Sequence, residues 1–185
     1  MNLRAAAVNR KMKAYQDVIR LLKTAFPVEE QYPVWFLRLL TLRKEVNFLA
    51  FFEGEQFVGL TYTLQCDRMV FVLYLAVNPE VRSKGCGTAI LSWLKTHFAG
   101  KSLTLNIEPL DPKAENYDQR VKRFSFYTKN GFRDTGLCVK DGDDQYAVLC
   151  DAGAFQPEVY RKLLGKMSFG MIKPEICPAE NENSV

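Results

Sequence analysis

With 185 residues, 48% of them hydrophobic and 12% aromatic, the chain has the length and apolar content of one globular domain rather than of a disordered or fibrous protein. A formal charge of +4 comes from 25 basic and 21 acidic residues of interspersed sign, so no nucleic-acid-binding arm is indicated. The five cysteines show neither a CxxC pair nor metal-ligand spacing. We therefore expect free thiols, a reducing cytoplasmic compartment and no metal site.

Neither the N-terminus nor any apolar run predicts a membrane segment. The longest apolar run, residues 69–77, has nine residues, fewer than half of the ~20 that a spanning helix needs. The N-terminus lacks the continuous apolar region of a secretory signal. We expect residues 1–177 to form a single domain and the polar residues 178–185 to form a disordered tail.

Residues 15–77 predict two helices followed by an antiparallel meander. Apolar residues recur at helical spacing at Tyr15, Val18, Ile19, Leu22 and Phe26. Pro27 ends this helix, and a second helix is predicted over residues 34–42. Residues 46–53, 56–65 and 69–77 are rich in β-forming residues, which predicts three consecutive strands.

A further helix and strand follow the meander. From Gly87 onwards one helical face carries Ile90, Leu91, Leu94 and Phe98. Gly100 is a candidate C-cap for this helix. Residues 102–108 then alternate strictly between polar and apolar, which is the period of a half-buried strand.

The last third predicts one long helix, a hairpin and a short helix. The long helix is predicted over Tyr117–Lys129. One of its faces carries Tyr117, Val121, Phe124 and Thr128. Two strands flank a turn at residues 141–144, and a short helix is expected at 157–164. The predicted fold class is α/β, with a mixed, mostly antiparallel central sheet flanked by helices.

A glycine-containing loop lies between the buried strand that ends at Val77 and the next helix. It reads Arg82-Ser83-Lys84-Gly85-Cys86-Gly87, followed by Thr88. The two glycines let the backbone curl around an oxygen-rich group, and the free N–H groups of the helix start favour an anion. A pyrophosphate suits this site, although a short G-x-G alone also occurs in ordinary strand-to-helix turns.

Two segments resemble motifs of the GNAT N-acetyltransferase superfamily. Residues 74–94 resemble its acetyl-CoA signature, Gln/Arg-x-x-Gly-x-Gly/Ala, in which Arg82, Gly85 and Gly87 fill the three defined places. Residues 123–132 resemble its Phe-Tyr-x-x-x-Gly-Phe segment. The two motifs occur in the order of the family, and the resemblance covers residues 10–150. It implies the GNAT fold and acetyl-CoA as co-substrate.

By this resemblance, the backbone of Leu75, Ala76 and Val77 pairs with the pantetheine arm of acetyl-CoA as an added strand would. The N–H groups of residues 83–88 hold the pyrophosphate, with Arg82 and Lys84 at the rim. Cys86 is interpreted as a small residue at a variable position of the loop.

The reaction implied by the family needs a base and an acid. An alkyl amine with a pKa near ~10 is mostly protonated at neutral pH and must lose a proton before it attacks a carbonyl. Glu108 ends the alternating strand on the same face as Asn106 and Thr104, so it is the predicted base, directly or through water. A solvated glutamate at a strand end is the alternative interpretation.

Tyr127 matches the tyrosine with which many family members protonate the departing CoA thiolate, and a packed helical aromatic is its alternative role. The chain departs from the family at Arg120, where relatives often carry an asparagine that touches the cofactor. Arg120 or Arg123 is a candidate contact for phosphate or a substrate anion, and a surface ion pair explains either equally well.

The acceptor is expected to be a small-molecule or peptide amine. Family members commonly bind it between the first two helices, here residues 27–33, where Glu29 or Glu30 is a candidate to attract a cation, and an exposed loop acid is the alternative interpretation. Polyamines, aminoglycosides, amino acids and protein N-termini stay open. A non-catalytic acyl-CoA-binding module and a transferase of a longer acyl group are the alternative functions. A strand near residues 143–150 or the C-terminal helix is a candidate homodimer surface.

Overall fold

The computed structural model describes residues 1–81, 85–142, 144–167 and 174–179. The chain divides into two compact units, which we describe separately. The first contains residues 1–65 and 72–99, and the second contains residues 66–71 and 100–185. The expectation of a single domain over residues 1–177 stays a prediction.

The first unit contains three helices and most of the first four strands. Its elements are β1 (Leu3–Ala7), α1 (Tyr15–Ala25), a 3₁₀ turn (Val28–Glu30), α2 (Val34–Leu40), β2 (Val46–Glu53), β3 (Gln56–Gln65), the larger part of β4 (Met69–Val77), a second 3₁₀ turn (Pro79–Val81) and α3 (Cys86–His97). β2 is antiparallel to both β1 and β3. Both of its faces are largely apolar, and Phe48, Ala50 and Phe51 are all buried.

The second unit contains the start of β4 and the remaining elements. These are β5 (Ser102–Ile107), α4 (Tyr117–Lys129), β6 (Arg133–Asp141), β7 (Asp144–Cys150), α5 (Pro157–Met167) and β8 (Glu175–Pro178). β5 is parallel to β4, with Met69 opposite Ser102, and antiparallel to β7. β6 is antiparallel to both β7 and β8.

The strands are hydrogen-bonded as one eight-stranded sheet in the order β1-β2-β3-β4-β5-β7-β6-β8. β4 is shared by the two units, and its pairing with β5 is parallel. This confirms the predicted α/β class with a mixed, mostly antiparallel sheet.

The boundaries predicted for β2, β3, β4 and α4 agree with the structure residue for residue. α2 ends at Leu40 rather than at residue 42, and α5 extends to Met167. The sequence analysis missed β1 and β8. The predicted tail, residues 178–185, lies mostly outside the described residues, and Pro178 is the last residue of β8.

The expectation of five free thiols is wrong for two cysteines. Cys138 and Cys177 are directly opposite each other on β6 and β8, with Cα atoms 5.3 Å apart, and form a disulfide. Cys66, Cys86 and Cys150 are free. Sequence spacing did not suggest the bond, because the two residues are 39 positions apart and meet through strand pairing.

The buried residue of α4 is Tyr127, which lies outside the set of residues that predicted the helix, and 39% of Val121, a member of that set, is exposed. Tyr127 packs edge-on against the rings of Phe126 and Phe132.

Candidate functional site

The start of α3 has the geometry expected of an anion site. Gly85, the residue before the helix, has a φ of 77°, in the left-handed region that favours glycine. The N–H of Ala89 donates to the carbonyl of Gly85 (3.0 Å), so the N–H groups of Cys86, Gly87 and Thr88 precede the helical ladder. No side chain of the described residues caps this end. Arg82, Ser83 and Lys84 lie outside the described residues.

The end of β4 in the first unit presents alternate side chains to two faces. Tyr74 and Ala76 are buried, whereas Leu75 and Val77 are partly exposed. The strand runs very close to β3 at Gly59, where an added Cβ would lie 2.5 Å from the carbonyl oxygen of Ala76. Gly59 is therefore a structural requirement for this part of β4, and the sequence analysis did not identify it.

Tyr74 also ties the predicted acceptor loop to β4 within the first unit. Its hydroxyl donates to the carbonyl of Glu30 (2.5 Å) and accepts a hydrogen bond from the N–H of Tyr32 (3.1 Å). Burial raises the pKa of Tyr74 to about 12, so the hydroxyl keeps its proton. Glu29, in the 3₁₀ turn of this loop, is exposed, and Glu30 is partly buried.

In the second unit, Glu108 follows β5 directly and has three partners. One carboxylate oxygen accepts a hydrogen bond from the side-chain amide of Asn116 (2.8 Å) and lies 3.7 Å from the guanidinium of Arg120. The other oxygen forms an ion pair with Arg123. About 21% of the Glu108 side chain is exposed, so the carboxylate is partly solvated.

These partners decide the protonation of Glu108. Burial alone would raise the pKa of the carboxyl group, but the Asn116 hydrogen bond and the charges of Arg123 and Arg120 outweigh it, and the pKa is lowered. Glu108 is therefore ionised at neutral pH. A carboxylate with a lowered pKa is a weak proton acceptor, which limits what it can contribute as a base.

Arg120 donates two hydrogen bonds in addition to its ion pair with Glu108. Its Nε donates to the side-chain oxygen of Asn116 (2.7 Å), and its Nη1 donates to the carbonyl of Pro109 (3.0 Å). Asn116 thus bridges Glu108 and Arg120. Of the two interpretations of Arg120, the structure favours a structural ion pair.

Tyr127 lies one helical turn after Arg123 and is 9% exposed. Burial raises the pKa of Tyr127 to about 12, and the positive charge of Arg123 partly opposes this rise. The phenol is protonated throughout the neutral range.

The polar face of β5 is confirmed in part. Thr104 is fully buried, with its hydroxyl 3.7 Å from the Cys150 thiol, and the amide nitrogen of Asn106 donates to the hydroxyl of Tyr160 on α5 (2.8 Å). Thr104 packs inside the second unit, whereas Asn106 and Glu108 are both partly exposed.

Neither a metal nor a membrane site is found in the described residues. They contain no group of three or more histidine, cysteine, aspartate or glutamate side chains that could hold a metal ion. None of their helices is long and apolar enough to cross a membrane.

Comparison with known proteins gives one family and many similar folds. The sequence profile of the acetyltransferase (GNAT) domain matches residues 44–134. This range includes the loop before α3, Glu108 and Tyr127. No curated protein matches the chain in sequence.

Three solved structures illustrate the fold. A protein of the GNAT family from Bacteroides thetaiotaomicron is 22% identical, with a TM-score of 0.72, over 91% of this chain and 99% of its own. The ribosomal-protein-S18-alanine N-acetyltransferase from Escherichia coli is 12% identical, with a TM-score of 0.60, over 84% of this chain and 96% of its own. An aminoglycoside 6′-N-acetyltransferase complexed with coenzyme A is 17% identical, with a TM-score of 0.58, over 80% of this chain and 95% of its own.

Proposed function

We propose that this chain, whose residues 44–134 match the acetyltransferase (GNAT) domain, is an acyltransferase of the GNAT superfamily that moves the acetyl group of acetyl-CoA to a primary amine by direct attack in a ternary complex. The observation that carries the proposal is the start of α3 after Gly85, which no side chain of the described residues caps and which lies inside the family match. Direct transfer is proposed because no described side chain is poised as a nucleophile for a covalent intermediate.

The first unit supplies the proposed cofactor contacts. The backbone of Leu75, Ala76 and Val77 pairs with the pantetheine arm. The N–H groups at the start of α3 bind the pyrophosphate, because helix N-termini favour anions. The residues proposed for this second contact are Arg82, Ser83, Lys84, Gly85, Cys86, Gly87 and Thr88.

Tyr127 is the proposed acid. Support comes from its match to the family's motif and its protonated state at neutral pH; its raised pKa makes the phenol a weak acid, just as the lowered pKa makes Glu108 a weak base. Expulsion of a thiolate needs a proton, and a phenol that is neutral at working pH can supply it.

Glu108 remains the proposed base, acting through water. Its lowered pKa argues for a modest contribution, since a stronger base would need a pKa nearer the working pH. We expect Glu108→Gln to lower kcat/KM about tenfold or less, because positioning of the two reactants supplies most of the acceleration.

The acceptor is proposed to be a cationic primary amine bound near residues 27–33, with the exposed carboxylate of Glu29 and the neighbouring Glu30 as attractive charges. Two of the similar structures are acetyltransferases for an aminoglycoside and for a protein alanine. Because such different acceptors share the fold, the choice between small molecules and peptides stays open. A cytoplasmic setting also stays a proposal: the three free cysteines support it, and the Cys138–Cys177 bond weighs against it.

The test is release of CoA from acetyl-CoA with a panel of polyamines, aminoglycosides, amino acids and peptides. Turnover that depends on one amine class supports the proposal and identifies the acceptor. Tight acetyl-CoA binding without turnover on any amine would contradict it in favour of a binding module. Preference for longer acyl-CoAs over acetyl-CoA would overturn the assignment of the donor.

A further inference from the structure

The first unit contains a chain of hydrogen bonds between the end of β4 and the start of α3. Its centre is Asn78, the residue directly after β4. The backbone N–H of Asn78 donates to the carbonyl of Val58 (2.9 Å), and its side-chain amide donates to the carbonyl of Phe57 (3.0 Å). Both bonds attach the end of β4 to β3.

Asn78 also shapes the 3₁₀ turn that follows it. Its side-chain oxygen accepts a hydrogen bond from the N–H of Glu80 (3.2 Å), and its carbonyl accepts one from the N–H of Val81 (3.1 Å). An asparagine side chain that bonds the backbone two residues ahead holds a turn in one conformation. Asn78 therefore fixes the position of Val81.

Cys86 completes the connection. Its thiol donates to the carbonyl of Val81 (3.4 Å), and both residues are 2% exposed. A thiol is a weak donor, so the contact works mainly by close packing with some help from the hydrogen bond. The first turn of α3 is thus joined through Val81 and Asn78 to the end of β4.

We propose that Asn78 and Cys86 are positioning residues that fix the spacing between the end of β4 and the first turn of α3. The inference rests on the proposed function, in which these two segments hold the pantetheine arm and the pyrophosphate. A ligand that engages two linked sites binds more tightly than its parts only when the sites keep the spacing that the linker spans. The two side chains keep that spacing.

The test compares the whole ligand with its two parts. Acetyl-CoA is titrated calorimetrically, while ligand-detected NMR measures binding of S-acetylpantetheine, which lacks the pyrophosphate, and of 3′-phospho-ADP, which lacks the arm. We expect Asn78→Ala to weaken acetyl-CoA binding about tenfold and Cys86→Ala about threefold. Binding of both parts should be unchanged, because Asn78 lies outside both half-sites and Cys86→Ala keeps the backbone N–H through which residue 86 is proposed to bind the pyrophosphate.

Two further variants separate positioning from general stability. Cys86→Ser keeps a donor and should restore most of the acetyl-CoA affinity. Cys150→Ala removes another buried thiol, which donates to the carbonyl of Ala152 in the second unit (3.3 Å), and should leave the affinity unchanged.

Acetyl-CoA affinity at the wild-type level in both Asn78→Ala and Cys86→Ala would overturn the inference. An equal loss for the whole ligand and for its parts would also overturn it, because that pattern indicates damage to a half-site. Failure of the wild-type protein to bind acetyl-CoA would instead refute the proposed function. If Asn78→Ala does not fold, the Cys86→Ala and Cys86→Ser pair decides the question.

Discussion

Tyr127 keeps its proton across the neutral range, because burial raises the pKa of its hydroxyl to about 12. We predict that Tyr127→Phe lowers kcat about 10²-fold at neutral pH, since the departing thiolate loses its proposed proton donor. Acetyl-CoA affinity should stay within a factor of about two, because the hydroxyl acts on the transition state. Steady-state kinetics and calorimetric titration measure the two effects.

Tyr117→Phe is the matched control, because it removes a hydroxyl from the first turn of the same helix. Its kcat should equal that of the wild type. A Tyr127→Phe variant with undiminished kcat would show that another group, or water, protonates the thiolate.

Glu108 contributes stability that depends on pH. Because its pKa is lowered in the folded state, the contribution is fully present above the ordinary carboxyl range and is lost as the pH falls through the folded-state pKa. We predict that Glu108→Gln lowers the free energy of unfolding by about 1–2 kcal/mol at pH ~7. The difference should shrink when urea unfolding is repeated near pH ~3.

Glu55→Gln, at an exposed position in the turn between β2 and β3, should change the unfolding free energy little at either pH. If Glu108→Gln were as stable as the wild type at neutral pH, the contacts with Asn116, Arg120 and Arg123 would contribute no net stability.

The close approach of β3 to β4 requires a glycine at position 59. A Cβ at position 59 would meet the carbonyl oxygen of Ala76 at 2.5 Å and the end of the Ile90 side chain at 2.9 Å. We predict that Gly59→Ala destabilises the protein by about 1–3 kcal/mol, as overpacking does. It should also weaken acetyl-CoA binding, because it displaces one of the proposed pantetheine contacts.

Gly165→Ala is the control for this substitution, because no atom of the described residues lies within 4 Å of the added Cβ in α5. It should be neutral or slightly stabilising, since alanine favours a helix. Equal thermal stability and affinity in Gly59→Ala and the wild type would contradict the requirement for a glycine.

Sequence patterns predict some elements better than others for physical reasons. β2, β3 and β4 are long runs of β-branched and aromatic residues bounded by turns, and their limits were predicted correctly. β1 was missed because its Leu-Arg-Ala-Ala-Ala sequence has low β propensity, and β8 because it has four residues. Both are stabilised by pairing with a neighbouring strand, which local sequence does not show.

In the candidate site, too, local sequence predicts some features and does not predict others. Gly85 was predicted from a local motif, and its left-handed backbone confirms the need for glycine. The partners of Glu108 could not be predicted, because Arg123 is 15 residues away and approaches only when α4 packs beside β5. The contact of Tyr74 with Glu30, 44 residues apart, likewise requires the tertiary structure.

For the whole molecule, the disulfide sets the number of reactive thiols. Cys138 and Cys177 are bonded, and Cys66, Cys86 and Cys150 are free. We predict that alkylation of the denatured, unreduced protein modifies three cysteines and that prior reduction raises the number to five. Intact-mass spectrometry counts the added groups. Five modified cysteines without reduction would contradict the Cys138–Cys177 bond.

The central claim is that acetyl-CoA binds at the start of α3. The most direct measurement is calorimetric titration of the wild type, Gly85→Asn and Gly85→Ala with acetyl-CoA. No described atom lies within 4 Å of a Cβ at position 85, so these substitutions act on the backbone alone. Alanine in the left-handed region costs about 1–2 kcal/mol, whereas asparagine tolerates it better.

We predict micromolar-range binding by the wild type, weaker binding by Gly85→Asn and the weakest by Gly85→Ala, because the N–H groups after residue 85 lose their alignment. A folded wild-type protein that does not bind acetyl-CoA would contradict the donor assignment and the function proposed from it.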